Sequence, residues 1–286
     1  MSQIKSVFVA GAGLMGSGIA HAVISSAKIP VYLYDISDEF LQKGLNRIKS
    51  VFTKSIEKGI LTQTEVDSFL SNLHPVKDLS FAKDVDLVIE AVSENIEIKK
   101  NLFSKLDQIC KKEAIFASNT SSLPITKIAT ATKRTDKFIG MHFFSPVHRM
   151  KLIEIISGYD TSKETFDSIK KFASILGKEV SASQDFPGFI TTRLGLVLMN
   201  EAAFCLFEGV GKVEDIDNGM KLGYNHPIGP LALADEIGLD ICLSILDIMY
   251  EEYKDSKYRA CPLMRKLVNA GHLGKKSGKG FYSYNK

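Results

Sequence analysis

The stretch VFVAGAGLMG, residues 7–16, constrains the fold more than any other part of the chain. A run of β-prone residues leads straight into Gly11, Gly13 and Gly16, which stand at the spacing of a strand-turn-helix phosphate loop. The glycines permit a tight turn and close backbone approach, so that a pyrophosphate can sit on the unpaired N–H groups of a helix that starts at about Met15, with Leu14 and Met15 among the expected cofactor contacts. A second strand pattern, VYLYD, ends in Asp35 nineteen residues after Gly16. An acidic side chain at that distance hydrogen-bonds an adenosine ribose and disfavours a 2′-phosphate, which predicts NAD; Ser37 nearby leaves NADP as a minor alternative.

The rest of the chain extends this pattern. SVFVA, VYLYD, DLVIEA and AIFAS alternate with helical segments, KFIGMHFF, KLIEII and KEVSA add further strands, and a helix is expected from about residue 163 to 176. Beyond Asp185 the apolar residues recur at helical spacing to about Ala270, and the Gly- and Lys-rich tail LGKKSGKGFYSYNK reads as packed back on the body. The expected fold is an α/β Rossmann-type dinucleotide-binding domain, 1–184, with a helical insertion near 37–73, followed by an all-α C-terminal domain, 185–286. Such a length suits two domains better than one. A net charge of +3 does not advertise nucleic-acid binding, and four scattered cysteines without a CxxC pair predict reduced thiols and no metal centre. The chain enters a strand almost at once and holds no apolar run of bilayer length, so the sequence predicts neither a leader peptide nor a membrane partner, and a cytoplasmic protein.

Candidate site residues gather at predicted strand ends, where open α/β sheets bind ligands. Glu90 and Glu94 close one strand, with Lys99 a turn into the next helix, and Asn119, Thr120, Ser121 and Ser122 follow another. His142 ends a third strand and Glu154 lies twelve residues on, in a segment expected to pair back beside it. A histidine there reads either as an ordinary core residue or as a proton carrier whose carboxylate partner fixes its tautomer. Lys43, Arg47, Lys54 and Lys58 share one helical stripe, either a solvated face or a landing strip for a phosphorylated substrate tail.

The ordered strings FASNTSSL, MHFFSPVHRMKLIEII, DFPGFITTRL, NHPIGPL and LGKKSGKGFY resemble the L-3-hydroxyacyl-CoA dehydrogenases, in particular the bacterial 3-hydroxybutyryl-CoA type, over essentially the whole chain. The resemblance implies interconversion of an L-3-hydroxyacyl-CoA, of short chain, and its 3-ketoacyl-CoA. His142 would take the hydroxyl proton, Glu154 would orient it, and Ser121 would hydrogen-bond the reacting oxygen or the cofactor, with Asn119 beside it. It also implies cofactor contacts from Glu94, Lys99 and Lys276, a contact of Lys58 and its neighbour Lys54 to the CoA moiety, and a homodimer through the helical domain. Two positions depart from the family pattern: Thr192 stands where an asparagine helps bind the thioester side of the substrate, and Ser145 where many relatives have asparagine near cofactor and substrate. Losing such a donor costs on the order of a hundredfold in rate when nothing replaces it. Two alternatives follow from Thr192: a dehydrogenase of a hydroxy acid lacking CoA, and a catalytically weak cofactor-binding protein.

Overall fold

In the computed structural model, which describes residues 4–284, eight strands form one sheet. They are β1 (Val7–Ala10), β2 (Val31–Tyr34), β3 (Leu73–Val76), β4 (Leu87–Glu90), β5 (Ile115–Ser118), β6 (Phe138–Phe143), β7 (Leu152–Ser157) and β8 (Glu179–Gln184). Their order is β3-β2-β1-β4-β5-β6-β7-β8, and every neighbouring pair is parallel except β6 with β7. All residues of β1, β4, β5 and β6 are buried, as expected of strands covered on both faces. The covering helices of this first unit are α1 (Leu14–Ala22), α2 (Asp38–Glu57), α3 (Gln63–Leu70), α4 (Ile96–Ile109), α5 (Ile125–Ala129) and α6 (Lys163–Ile175).

Local chemistry explains the elements that set the site. Ser37 caps α2 by accepting from the Phe40 amide, Asp38 and Glu39 favour the positive end of its dipole, and Leu41, Ile48 and Phe52 bury one face. The expectation of one helical region over 37–73 is corrected. The chain breaks after α2 at Gly59, whose φ is 66°, and restarts at α3 with a capping box between Thr62 and Glu65. Leu73–Val76 then forms a strand that the sequence reading missed. It lies at the sheet edge beside β2, where Pro75, lacking an N–H, is tolerated. Four residues that include a histidine and a proline carry too little period-two signal to announce a strand.

The chain divides into two compact units at Phe186 and Pro187. The second is helical: α7 (Thr191–Phe207), α8 (Val213–Gly223), α9 (Pro230–Ile237), α10 (Leu239–Tyr253) and α11 (Pro262–Asn269). Its core holds Leu196, Met199, Leu231, Leu239, Leu246, Met249 and Tyr258. Two buried carboxylates organise it. Asp217 accepts from the Leu231 and Ala232 amides that open α9 and from the Tyr282 hydroxyl. Asp235 accepts from the Phe281 and Tyr282 amides and the Tyr284 hydroxyl, and so ties the aromatic tail back onto the helices. Backbone N–H donors offset the cost of burying these charges. No helix among the described residues is long and apolar enough to cross a membrane.

One buried group in the first unit works against stability in acid. His21 of α1 packs its ring on Phe52, centroids 4.4 Å apart. Burial first, and then the nearby positive charge of His148 and Lys178, pushes its pKa from 6.5 down to about 4. Its folded pKa lies below its unfolded one, so between those values the unfolded chain binds the extra proton and stability falls as pH falls. The gap is about 3 kcal/mol, accumulated from about pH 6.5 down to about pH 4. Urea unfolding of the protein and of His21→Phe at pH 7 and at pH 4 checks this. The variant should gain about 3 kcal/mol relative to the parent on acidification; a difference independent of pH contradicts it.

Candidate active site

The direction of winding reverses between β1 and β4, and the crevice outside their carboxyl ends is where an open α/β sheet binds a ligand. The loop after β1 is built for close approach. Gly11 has φ 103°, and a Cβ there would lie 2.6 Å from the Ala91 carbonyl oxygen beyond β4. A Cβ on Gly16 would lie 1.8 Å from the Gly11 carbonyl oxygen, so only glycine lets α1 start tight against the turn. Gly13 precedes α1 with no side-chain cap, leaving its first N–H groups to a ligand. Leu14 is exposed at this end, whereas Met15 packs toward the core.

Asp35, at the end of β2, holds the loop directly. Its carboxylate accepts from the Ala12 amide at 2.8 Å and the Ser37 amide at 3.0 Å. A cavity of about 530 Å³ opens beside it, lined by Gly11, Gly13, Asp35, Ile36, Phe40 and Ile98 among others. Uncapped helix N–H groups, a carboxylate and exposed apolar side chains flanking one cavity fit the pyrophosphate, ribose and adenine of a dinucleotide.

Beyond β4 the charged residues are partners of one another. Glu90 is fully buried and accepts from Lys99 Nζ at 2.6 Å, Ser118 Oγ at 2.6 Å and the Val92 amide at 2.7 Å. Lys99, expected as a cofactor contact, is 1% exposed, and its ammonium bridges Glu90 to Glu94, 3.3 Å away. Glu94 in turn accepts from Thr120 Oγ1 at 2.5 Å, the Ser121 amide at 3.0 Å and Ser122 Oγ at 3.3 Å. The loop after β5 is therefore held in place by the loop after β4. Asn119 extends the tie to β6, its Oδ1 accepting from the Phe143 amide at 2.9 Å.

His142 and Glu154 face each other directly across the antiparallel β6–β7 pair. His142 Nδ1 donates to Glu154 Oε2 at 2.9 Å. A carboxylate only accepts, so in the neutral ring the proton is on Nδ1 and Nε2 has the lone pair, 3.1 Å from the Ser121 hydroxyl. His142 is 6% exposed and Glu154 fully buried, with the Phe144 ring 4.6 Å from the imidazole. The arrangement can take a proton at Nε2 and stabilise the resulting imidazolium in water-poor surroundings.

A second cavity, of about 510 Å³, lies between α1, α2 and the loop of residues 145–148. Ser145 stands at this wall, and of the basic stripe it is Lys43 and Arg47 that line it; Lys54 and Lys58 lie exposed farther along the same helix and its end. The sequence reading missed two participants. Ser118 looked like a strand residue and His21 like a helix residue, because one polar side chain in an apolar element carries no signal of its partner. Thr192 and Lys276 belong to the second unit, Thr192 in the first turn of α7 and Lys276 paired with Asp240 at 2.6 Å.

With this geometry in view, comparison with known proteins is unambiguous. Residues 6–186 match the family model of the 3-hydroxyacyl-CoA dehydrogenase NAD binding domain. Residues 188–284 match that of the 3-hydroxyacyl-CoA dehydrogenase C-terminal domain. A probable 3-hydroxybutyryl-CoA dehydrogenase of Bacillus subtilis is 51% identical over 282 residues, covering 99% of this chain and 98% of its own. The 3-hydroxybutyryl-CoA dehydrogenase of Bradyrhizobium diazoefficiens is 48% identical, covering 98% of this chain and 96% of its own. The crystal structure of (S)-3-hydroxybutyryl-CoA dehydrogenase from Ralstonia eutropha superposes with a TM-score of 0.96 at 44% identity, covering 99% of this chain and all of that one. The glycine loop, the strand-end carboxylates and the two matching domains together establish that this chain belongs to the 3-hydroxyacyl-CoA dehydrogenase family, its first unit being the NAD-binding domain.

Proposed function

We propose that the chain interconverts a short-chain L-3-hydroxyacyl-CoA, such as 3-hydroxybutyryl-CoA, and the corresponding 3-ketoacyl-CoA, with His142 as the general base. The observation that carries this reading is the Glu154–His142–Ser121 relay, its first two members buried, at the same sheet edge as the glycine loop. NAD, when bound, supplies the acceptor for the hydrogen and electron pair leaving C3. The hydroxyl proton passes to His142 Nε2 as the C3–O bond becomes a carbonyl, and Glu154 stabilises the imidazolium through Nδ1–H. Ser121 Oγ, already in contact with Nε2, turns its hydroxyl to the reacting oxygen and holds it in line. In the reducing direction the same proton returns from Nε2 to the carbonyl oxygen.

The cavity rimmed by Lys43 and Arg47 supports a CoA substrate, since a phosphorylated carrier tail needs positive charge at the end of an extended groove. The second unit exposes Leu194, Phe207, Val210, Leu222, Tyr224 and Ile241, which supports a homodimer formed through that unit. The lack of a membrane-spanning helix among the described residues and the reduced cysteines are in keeping with a cytoplasmic enzyme.

Three measurements test these assignments. His142→Ala should lower turnover of acetoacetyl-CoA with NADH by about 10²–10⁴-fold while NADH still binds, and Glu154→Gln by about 10²-fold or more; wild-type turnover in either variant removes that residue from the proton path. Arg47→Glu should raise KM for acetoacetyl-CoA roughly tenfold at low salt, with the increase shrinking as salt rises. An unchanged KM contradicts the tail's placement. Light scattering on the eluting protein should give twice the chain mass; a monomer at micromolar concentration contradicts the dimer.

A further inference from the structure

The cavity between α1, α2 and the 145–148 loop contains a side chain that stability alone does not explain. His21 lines it and is 9% exposed, yet neither ring nitrogen has a hydrogen-bond partner, and both are shielded from water. An imidazole in such a place costs stability that an apolar ring of similar size, stacked on Phe52 in the same way, does not. A buried donor and acceptor left without protein partners on a cavity wall point to a ligand that completes them.

We propose that His21 is a substrate-binding residue that hydrogen-bonds an amide of the carrier arm, an inference that rests on the acyl-CoA reading of the site. Burial keeps the imidazole neutral at physiological pH, its pKa being pushed down to about 4, so the ring offers one N–H donor and one lone pair. Those are the complements of an amide carbonyl and an amide N–H. The rest of the cavity suits the same chemistry: Leu14, Ile48, Val51 and Val147 make apolar walls for methylene and methyl groups, and Lys43 and Arg47 stand at the rim for phosphates. A carrier arm has these parts in this order, amides joined by short alkyl segments and a phosphorylated end. His148, exposed on the loop with its ring centroid 5.9 Å from that of His21, stands beside the imidazole, and the side chains around the ring must turn aside to admit the arm.

The test compares two substrates in the wild type, His21→Phe and His21→Gln: acetoacetyl-CoA, and the methyl thioester of acetoacetate, which carries the reacting carbons but no amide. His21→Phe should raise KM for acetoacetyl-CoA roughly tenfold, the loss of about one hydrogen bond, with kcat nearly unchanged. It should leave kcat/KM for the methyl thioester as in the wild type. His21→Gln, which keeps a donor and an acceptor, should restore most of the affinity for acetoacetyl-CoA. An unchanged KM for acetoacetyl-CoA in His21→Phe overturns the proposal while the acyl-CoA reading stands. An equal loss on both substrates also overturns it, assigning His21 to packing of the wall. A wild type that oxidises no NADH with acetoacetyl-CoA removes the acyl-CoA reading and the proposal together.

Discussion

The site depends on one hydrogen bond, from His142 Nδ1 to Glu154 Oε2. A carboxylate with no solvent exposure is tolerable only when its charge is answered by donors, and an imidazole with the wrong nitrogen protonated offers nothing to an alcohol. The two residues solve each other's problem because β6 and β7 run antiparallel and place them directly opposite. A slip of one residue in that register would turn one of the pair to the opposite face of the sheet. Every other strand contact in the sheet is parallel, so the single antiparallel pair is where the fold departs from its own pattern, and it holds the proposed proton carrier.

Around that bond the loops at the carboxyl edge are cross-linked by charge. Lys99 joins Glu90 to Glu94, Glu94 fixes the Thr120, Ser121 and Ser122 segment, and Asn119 fixes the end of β6. The consequence is preorganisation: Ser121 reaches Nε2 because its backbone is held by a carboxylate from the neighbouring strand end. Asp35 does the same for the glycine loop through the Ala12 amide. The carboxylates at this edge therefore act as anchors for loops.

Much of this was legible in the sequence, and the gaps have physical causes. Gly11 and Gly16 announce themselves because close backbone approach excludes every other residue, and Gly13 completes the spacing although a Cβ there would meet nothing within 4 Å. The His142–Glu154 pair was readable because each sits in an apolar strand segment where an unpartnered polar group is costly. By contrast, β3 escaped notice because an edge strand of four residues with a proline has little periodicity. The interior position of Lys99 also escaped notice, since a lysine one turn into a helix looks the same whether it faces solvent or Glu90. His21 was invisible as a site residue because its cavity is closed by residues 145–148, more than a hundred positions away in the chain.

The most direct test of the account is the protonation pattern of His142 in the free protein, read by ¹⁵N NMR of the imidazole at neutral pH. The predicted result is a protonated Nδ1, hydrogen-bonded to Glu154, with Nε2 free of a proton and facing Ser121. A neutral ring carrying its proton on Nε2 would mean that Glu154 does not set the tautomer, and the proposed base would have no lone pair to offer the substrate hydroxyl.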